Sequence, residues 1–112
     1  MDAAIQLHCD AAGRSSARGI SLIYRDRGSW VRASKALASA LRSKVPAATG
    51  CRVWKVMGSN DYMSLNWSET PSVLFEMGFM TNKEEDLLLS SASYQNRLVR
   101  GTYNALCSFF GR

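Results

Sequence analysis

The chain has 112 residues, enough for one folded domain with its own core but few for a complete α/β enzyme. With 46% hydrophobic and 21% charged residues, its composition is that of a globular protein and argues against disorder. The net charge of +5 favours acidic partners, namely nucleic acid, an anionic lipid surface or an acidic cell-wall polymer. No stretch is apolar over the length of a bilayer span, and the first residues lack the features of a signal peptide.

Strand-like and helix-like hydrophobic patterns follow one another along the chain, as is typical of an α/β fold. The predicted elements are a strand at 3–8, a loop at 11–18, a strand at 19–24, a helix at 30–44, a strand at 51–57, an extended piece at 62–67, a strand at 73–75, a short helix after 82 and a last helix from 90 or 91 to about 109. This order predicts an open, mostly parallel sheet flanked by helices, in a single domain over residues 1–112.

The first long helix is predicted to begin after Ser29, a favourable N-cap residue, and to run to about Lys44, with residues 46–50 ending it. Trp54 falls in a core pattern of the next strand. The apolar residues of the helix recur at helical spacing and are predicted to face the core: Trp30, Ala33, Leu37, Ala40 and Leu41. The tryptophans are therefore not expected to join the scattered arginines in a nucleic-acid-binding stripe.

Residues 71–82 read Pro-Ser-Val-Leu-Phe-Glu-Met-Gly-Phe-Met-Thr-Asn, and the rest of the chain is organised around them. The Val-Leu-Phe run predicts a strand buried on both faces, and Glu76 closes that run. A carboxylate beside Phe and Met side chains must be paired, metal-adjacent or partly protonated, which makes Glu76 a candidate general base. The alternative is a surface carboxylate or one half of an ion pair with an arginine.

The second half of this segment predicts a turn followed by a helix. Gly78 lets the backbone turn at small steric cost. Asn82, with Glu85 three residues later, has the spacing of a helix N-cap and its reciprocal partner. The segment is therefore predicted as strand, acid, turn and helix.

His8 is the single histidine of the chain and ends the first predicted strand. Because the ends of parallel strands meet along one crevice, His8 and Glu76 are expected to lie close together. A neutral imidazole there could bind zinc, beside a glutamate that accepts a proton from metal-bound water. The alternative is a histidine with a structural role in the core or at an edge. The cysteines lack metal-binding or redox spacing and are predicted to be small buried hydrophobic residues: Cys9, Cys51 and Cys107.

Two segments of the sequence resemble the third family of N-acetylmuramoyl-L-alanine amidases. Residues 2–11, Asp-Ala-Ala-Ile-Gln-Leu-His-Cys-Asp-Ala, followed by Gly19 and Ile20 at the start of a strand, are similar to the zinc-histidine segment of that family. Residues 71–82 are similar to its signature of proline, hydrophobic strand, glutamate, glycine, phenylalanine, small residue and asparagine. The likeness runs over essentially the whole chain, and these two motifs are its specific part.

The resemblance implies a zinc-dependent hydrolase that cleaves the amide between N-acetylmuramic acid and L-alanine in peptidoglycan, during cell-wall remodelling or lysis. It implies that His8 is a zinc ligand. It also implies that Glu76 is the catalytic carboxylate, which activates metal-bound water and then protonates the leaving amine. The expected partner is peptidoglycan, with no nucleic acid and no membrane span, and the expected form is a monomer in the periplasm or the extracellular cell wall.

The chain departs from the family pattern in two ways. The other two zinc ligands of the family precede the segment with which this chain begins, so the N-terminal strands and a complete ligand set are expected to be missing. Asp10 stands where asparagine is usual, which adds negative charge near the predicted metal. The chain is therefore interpreted as the C-terminal part of an amidase catalytic domain. The alternative is a non-catalytic cell-wall-binding or regulatory domain with a truncated amidase fold.

Overall fold

The computed structural model describes residues 2–112 of the chain. Strands and helices occur there in the order β1 (Ala4–Asp10), β2 (Ile20–Arg25), α1 (Val31–Thr49), β3 (Val53–Ser59), α2 (Met63–Asn66), β4 (Ser72–Phe79), α3 (Lys83–Leu89) and α4 (Ala92–Phe110). Each of the four strands ends later in the chain than its hydrophobic pattern predicts.

The strands form one mixed sheet in the order β1-β4-β2-β3. β1 is parallel to β4 and β2 is parallel to β3, whereas β2 and β4 are antiparallel. The loop at 11–19 contains no helix that could cross back over the sheet, so β2 runs opposite to β1. α1 supplies such a crossover between β2 and β3. The predicted α/β fold with a mostly parallel sheet is confirmed.

Helices α1 and α4 cover one face of the sheet and enclose the main hydrophobic core with it. Val73 and Phe75 of β4 contribute to this core and are fully buried. Gly101 of α4 lies directly against α1, where an added Cβ would be 2.8 Å from the Cα of Val45. The absence of a side chain at Gly101 therefore lets the two helices approach each other closely.

The predicted limits of α1 are wrong at both ends. The helix begins after Trp30, whose backbone is left-handed with φ 72°, so Ser29 is not its N-cap. It then continues through Pro46 and ends at Gly50, whose N–H donates to the Pro46 carbonyl at 2.7 Å. A proline in the helix removes one backbone hydrogen bond, and burial of the preceding turn against α4 offsets this loss.

Trp30 and Trp54 are both partly exposed, so the prediction that they belong to the core is wrong. Trp30 is 42% and Trp54 is 39% exposed. Trp54 lies on β3, which pairs within residues 2–112 with β2 alone, and it packs edge-on against Phe79 with 5.3 Å between ring centroids. The guanidinium of Arg14 lies 5.3 Å from the Trp54 centroid.

Residues 62–67, predicted as an extended piece, contain the short helix α2 instead. Leu65 of α2 is 3% exposed and packs on Ile23 and Leu74. Because successive side chains of β4 point to opposite faces, Leu74 faces away from α1 and α4. α2 therefore covers part of the second face of the sheet.

β4 is longer than predicted, and Glu76 lies within it rather than at its end. Gly78 is a strand residue with φ 156° and does not turn the chain back. The pairing of β4 with β1 is irregular between Glu76 and Phe79, where β4 has an extra residue relative to its partner. This bulge, rather than a turn, occupies the position of Gly78.

Asn82 caps α3, as predicted, and its side chain accepts a hydrogen bond from the N–H of Glu85 at 3.1 Å. The reciprocal bond from Asn82 to the Glu85 carboxylate is not formed, so that part of the prediction is wrong. Oε1 of Glu85 accepts instead from the N–H groups of Gly19 at 2.9 Å and Phe79 at 3.1 Å. Because these N–H groups lie at strand ends, they need acceptors from outside the ladder. Ser91 caps α4, as predicted.

The three cysteines are free and only partly buried, in contrast to the prediction of buried hydrophobic residues. Partial burial raises the pKa of the Cys9 and Cys51 thiols, which disfavours the reactive thiolate. Among residues 2–112, no helix is long and apolar enough to cross a bilayer.

Candidate active site

One row of paired residues crosses the sheet from β1 to β3. His8 of β1 pairs with Glu76 of β4. Glu76 pairs on its other side with Ser21 of β2, which in turn pairs with Lys55 of β3. Paired residues of neighbouring strands point to the same face. That face is the one away from α1 and α4, because Phe75, the chain neighbour of Glu76, belongs to the helix-covered core.

Two buried polar atoms of this row lack partners. Glu76 is only 6% exposed, and its Oε2 atom has no hydrogen-bond partner within residues 2–112. Ser21 is 1% exposed, and its Oγ atom is equally without a partner in the described residues. Because nearly all buried polar atoms in folded proteins are hydrogen-bonded, these two neighbouring exceptions mark the row as a candidate functional site.

Asp10, two residues beyond His8 on β1, brings a second carboxyl group to Glu76. Burial raises the pKa of Glu76 to about 7, and both the hydrogen bond to Asp10 and the negative charge of Asp10 act in the same direction. The hydrogen bond with Glu76 holds the pKa of Asp10 below its ordinary value, and the Ala11 N–H, 2.8 Å from Oδ1, contributes to this. The two carboxyl groups therefore influence each other's titration, and Glu76 holds its proton more tightly than Asp10 does.

Lys55 and Tyr62 complete the surroundings of the carboxyl pair. The positive charge of Lys55 lowers the pKa of Glu76, in opposition to burial. Burial and the charges of Glu76 and Asp10 raise the pKa of the Tyr62 phenol. Sequence patterns do not reveal Lys55, Tyr62 and Ser21 as site residues. The positions of Ser21 and Lys55 depend on the pairing of β2 with β3 and β4. Tyr62 precedes α2, where the sequence pattern predicts an extended piece. Ser21 alone gives a signal in the sequence, as a polar residue among the apolar residues of a buried strand.

The structure brings together His8 and Glu76, the two site residues predicted from the sequence. They are register partners on neighbouring parallel strands, and they meet along the length of β4 rather than at its end. His8 is exposed, whereas Glu76 is buried, so the imidazole is open to solvent beside a carboxyl group that is not. This arrangement can bind a molecule through His8 and exchange a proton with it through Glu76.

The donor atoms around His8 do not form a complete zinc site. A catalytic zinc ion normally has three protein ligands and one open position. In the part of the chain that the structure describes, no three His, Cys, Asp or Glu side chains are grouped so as to hold a metal ion. The His8 imidazole is the candidate zinc ligand of this row, beside the carboxyl groups of Glu76 and Asp10.

Comparison with known proteins identifies the family of the chain. A family model described as N-acetylmuramoyl-L-alanine amidase matches residues 1–108, which is nearly the whole sequence. The chain belongs to this amidase family. The resemblance of the chain to N-acetylmuramoyl-L-alanine amidases is thereby confirmed at the level of the family.

Individual amidases are similar to this family member in sequence and in fold. The N-acetylmuramoyl-L-alanine amidase LytC of Bacillus subtilis is 29% identical over 109 residues, which cover 97% of the chain and 22% of LytC. An N-acetylmuramoyl-L-alanine amidase of Mycobacterium tuberculosis is 30% identical, over 96% of the chain and 49% of that protein. The crystal structure of an N-acetylmuramoyl-L-alanine amidase from Clostridium difficile 630 superposes with a TM-score of 0.91 at 26% identity, over 98% of the chain and 58% of that structure. The amidase chain described here thus spans about half or less of the length of the two curated relatives.

Proposed function

We propose that this chain carries the proton-transferring glutamate of a zinc-dependent amidase, which hydrolyses the amide between N-acetylmuramic acid and L-alanine in peptidoglycan. The observation that carries the proposal is the pairing of Glu76 with His8, together with the burial of Glu76 and the lack of a partner for its Oε2 atom in residues 2–112. Because peptidoglycan lies outside the cytoplasmic membrane, the proposed place of action is the periplasm or the extracellular cell wall.

In the proposed reaction, Glu76 serves first as base and then as acid. Its carboxylate accepts a proton from the water molecule whose oxygen adds to the carbonyl carbon of the amide. The protonated carboxyl then donates that proton to the amine nitrogen as the C–N bond breaks, so that Glu76 ends in its initial state. The products are a free carboxylate on the sugar and a free amino group on L-alanine. Because the pKa of Glu76 is about 7, the carboxyl group can both accept and donate a proton near neutral pH.

Asp10, Lys55 and Ser21 set the conditions for this proton transfer. Asp10 raises the pKa of Glu76 and Lys55 lowers it. The two opposing effects together keep the pKa of Glu76 near neutral pH. The Ser21 hydroxyl lies beside Glu76 on the neighbouring strand and has no other partner in the described residues. In this proposal it is a hydrogen-bonding group available to the water molecule.

His8 is, in this proposal, one ligand of a Zn²⁺ ion. The described residues do not supply a complete ligand set, so the remaining ligands would come from polypeptide outside residues 2–112. The incomplete set also supports a second candidate function, a non-catalytic domain of the amidase fold that binds the cell wall. Metal content and turnover separate the two candidates.

The test uses the natural polypeptide that contains these 112 residues, with Glu76→Gln as the principal variant. Released peptides that begin with a free L-alanine are measured by mass spectrometry after incubation with purified peptidoglycan. We expect Glu76→Gln to reduce the rate by about 10²- to 10⁴-fold, because the amide of glutamine cannot accept the proton. Glu84→Gln, an exposed change on α3, is the matched control and should leave the rate unchanged.

Zinc analysis provides the second arm of this test. We expect one zinc ion per chain in the parent protein and loss of that zinc in His8→Ala, with zinc retained in Glu76→Gln. Full turnover by Glu76→Gln would refute the assigned role of the glutamate. Absence of both zinc and turnover in the parent protein would favour the wall-binding alternative.

A further inference from the structure

A polar cavity lies at the other end of β2 from the Glu76 row. It has a volume of about 390 Å³ and is lined by Arg25, Arg27, Asn60, Asn66 and Trp67. Arg25 is four residues beyond Ser21 on β2. Because successive side chains of a strand point to opposite faces of the sheet, Arg25 and Ser21 point to the same face. At about 3.3 Å per residue, the cavity lies roughly 13 Å from the Glu76 row.

Trp67 presents an unusually large apolar surface at this cavity. Its side chain is 80% exposed, the largest value among the exposed large hydrophobic residues of the described chain. Its backbone N–H donates to carbonyl groups of α2, so the residue is held in place although the indole is free. A fixed and exposed aromatic ring beside polar groups is typical of a ligand-binding surface.

The polar groups of the cavity are fixed but not fully used. The Asn66 amide donates to the Asn60 carbonyl at 2.7 Å, and the Asn60 side chain accepts from the Asp26 N–H at 3.3 Å. Nε of Arg25 and Oδ1 of Asn66 are buried and have no partner among residues 2–112. The cavity therefore has a rigid framework, and beside it lie one buried donor and one buried acceptor without partners in the described residues.

Neither Arg25 nor Arg27 forms an ion pair within residues 2–112. Within residues 2–112, the observed ion pair joins Arg18 to Glu84, on a different part of the surface. Arg25 lies under Gly28, where an added Cβ would be 3.0 Å from the guanidinium Nη2 atom. Guanidinium groups without a partner bind carboxylates with two parallel hydrogen bonds.

We propose that this cavity binds an N-acetylated sugar that bears a carboxylate, at a position on the glycan away from the amide that is cleaved. The indole of Trp67 packs against the apolar C–H face of the sugar ring, and the asparagines hydrogen-bond to its hydroxyl and acetamido groups. The guanidinium groups of Arg25 and Arg27 bind the carboxylate. This inference rests on the proposed function, because hydrolysis of the amide is what frees a carboxylate on the sugar.

The carboxylate that the arginines bind could also belong to the stem peptide, which carries carboxylates of its own. The experiment distinguishes these two sources. The natural polypeptide that contains these 112 residues is titrated with N-acetylmuramic acid, with N-acetylglucosamine and with the dipeptide L-alanyl-D-isoglutamine, and binding is followed by NMR chemical shifts. We expect N-acetylmuramic acid to bind about tenfold more tightly than N-acetylglucosamine, because the second sugar lacks the carboxylate.

Matched variants assign this binding to the cavity. We expect Trp67→Ala to weaken the binding of both sugars by about tenfold, and Arg27→Gln to abolish the preference for the acidic sugar. Tyr103→Ala removes an aromatic ring that is 60% exposed on α4, and Arg42→Gln removes an exposed charge of α1; both controls should bind like the parent chain. Equal binding by Trp67→Ala and the parent chain, or binding of the dipeptide alone, would overturn the proposal.

This measurement is independent of turnover, because none of the three probes contains the amide to be cleaved. An active amidase without selective binding of the acidic sugar would contradict the cavity assignment alone. Selective binding by a protein that does not hydrolyse peptidoglycan would support the cavity and contradict the assigned reaction alone.

Discussion

Glu76 and Glu85 are both buried near the same end of the sheet, and their carboxyl groups have opposite surroundings. Glu85 is 4% exposed, and its Oε1 atom accepts hydrogen bonds from two backbone N–H groups. Glu76 is 6% exposed, its Oε2 atom has no partner in the described chain, and its pKa is raised to about 7. Burial is thus nearly equal, and the difference lies in hydrogen bonding.

This comparison separates a structural carboxylate from a candidate catalytic one. Glu85 satisfies donors that the sheet leaves open at Gly19 and Phe79, so its charge stabilises the fold. Glu76 carries an incompletely solvated carboxylate beside Asp10, so its charge destabilises the fold near neutral pH. Ionisable groups whose charge lowers the stability of the fold are found preferentially at functional sites.

The largest effect is expected for Glu85→Ala, which leaves the Gly19 and Phe79 N–H groups without an acceptor. Each buried donor without a partner costs about 1–3 kcal/mol, so the loss of the acceptor for two donors should lower the free energy of unfolding by roughly 2–6 kcal/mol. Urea unfolding followed by circular dichroism measures this change. Glu84→Ala is the control, because Glu84 is exposed and its ion pair with Arg18 should contribute less than about 1 kcal/mol. Similar losses in the two variants would contradict the structural role of Glu85.

Glu76→Gln should raise the free energy of unfolding at about pH 8, whereas Glu85→Ala lowers it. The ordinary pKa of 4.5 applies to the unfolded chain, and the pKa of about 7 applies to the folded one. The folded state therefore holds the proton more tightly, and the stability that this proton provides is lost as the pH rises through 7. Glutamine resembles the protonated form, so the variant should be more stable than the parent by about 1–3 kcal/mol at about pH 8.

The same variant should lose its advantage in acid. At about pH 4 the carboxyl group is protonated in both states, so the free energies of unfolding of parent and variant should converge. Urea unfolding at a series of pH values tests this. An advantage of Glu76→Gln that does not depend on pH would mean that the gain comes from packing and not from removal of a buried charge.

Local patterns of the sequence predict the frame of the fold and the two central site residues. The apolar run of β4, the Asn82 cap and the convergence of His8 with Glu76 all follow from local spacing and from the parallel pairing of β1 with β4. The pairing of β2 with β4 depends on contacts between distant parts of the chain. The sequence therefore does not reveal that Ser21 and Lys55 share a row with Glu76.

Tertiary packing also decides the elements that were predicted wrongly. Local spacing suggests that the helix ends at Pro46, whereas burial against α4 carries α1 past it. Local spacing likewise assigns Glu85 to a reciprocal cap of Asn82, whereas Gly19, distant in sequence, provides a donor for its carboxylate. In both cases a contact from outside the local segment overrides the local preference.

The smallest expected effect is on stability, and it is found by comparing substitutions of Ser21 and Ser34, which are both almost fully buried. Oγ of Ser34 accepts a hydrogen bond from the Ser72 N–H at 2.9 Å, whereas Oγ of Ser21 has no partner within residues 2–112. Ser34→Ala leaves a buried N–H without an acceptor and should lower the free energy of unfolding by about 1 kcal/mol. Ser21→Ala removes a buried polar atom that is not hydrogen-bonded, and should leave stability unchanged or raise it by up to about 1 kcal/mol. Urea unfolding of both variants checks this difference in sign. Destabilisation by Ser21→Ala equal to that by Ser34→Ala would show that the Ser21 hydroxyl is already hydrogen-bonded in the free protein, and is not held available beside Glu76.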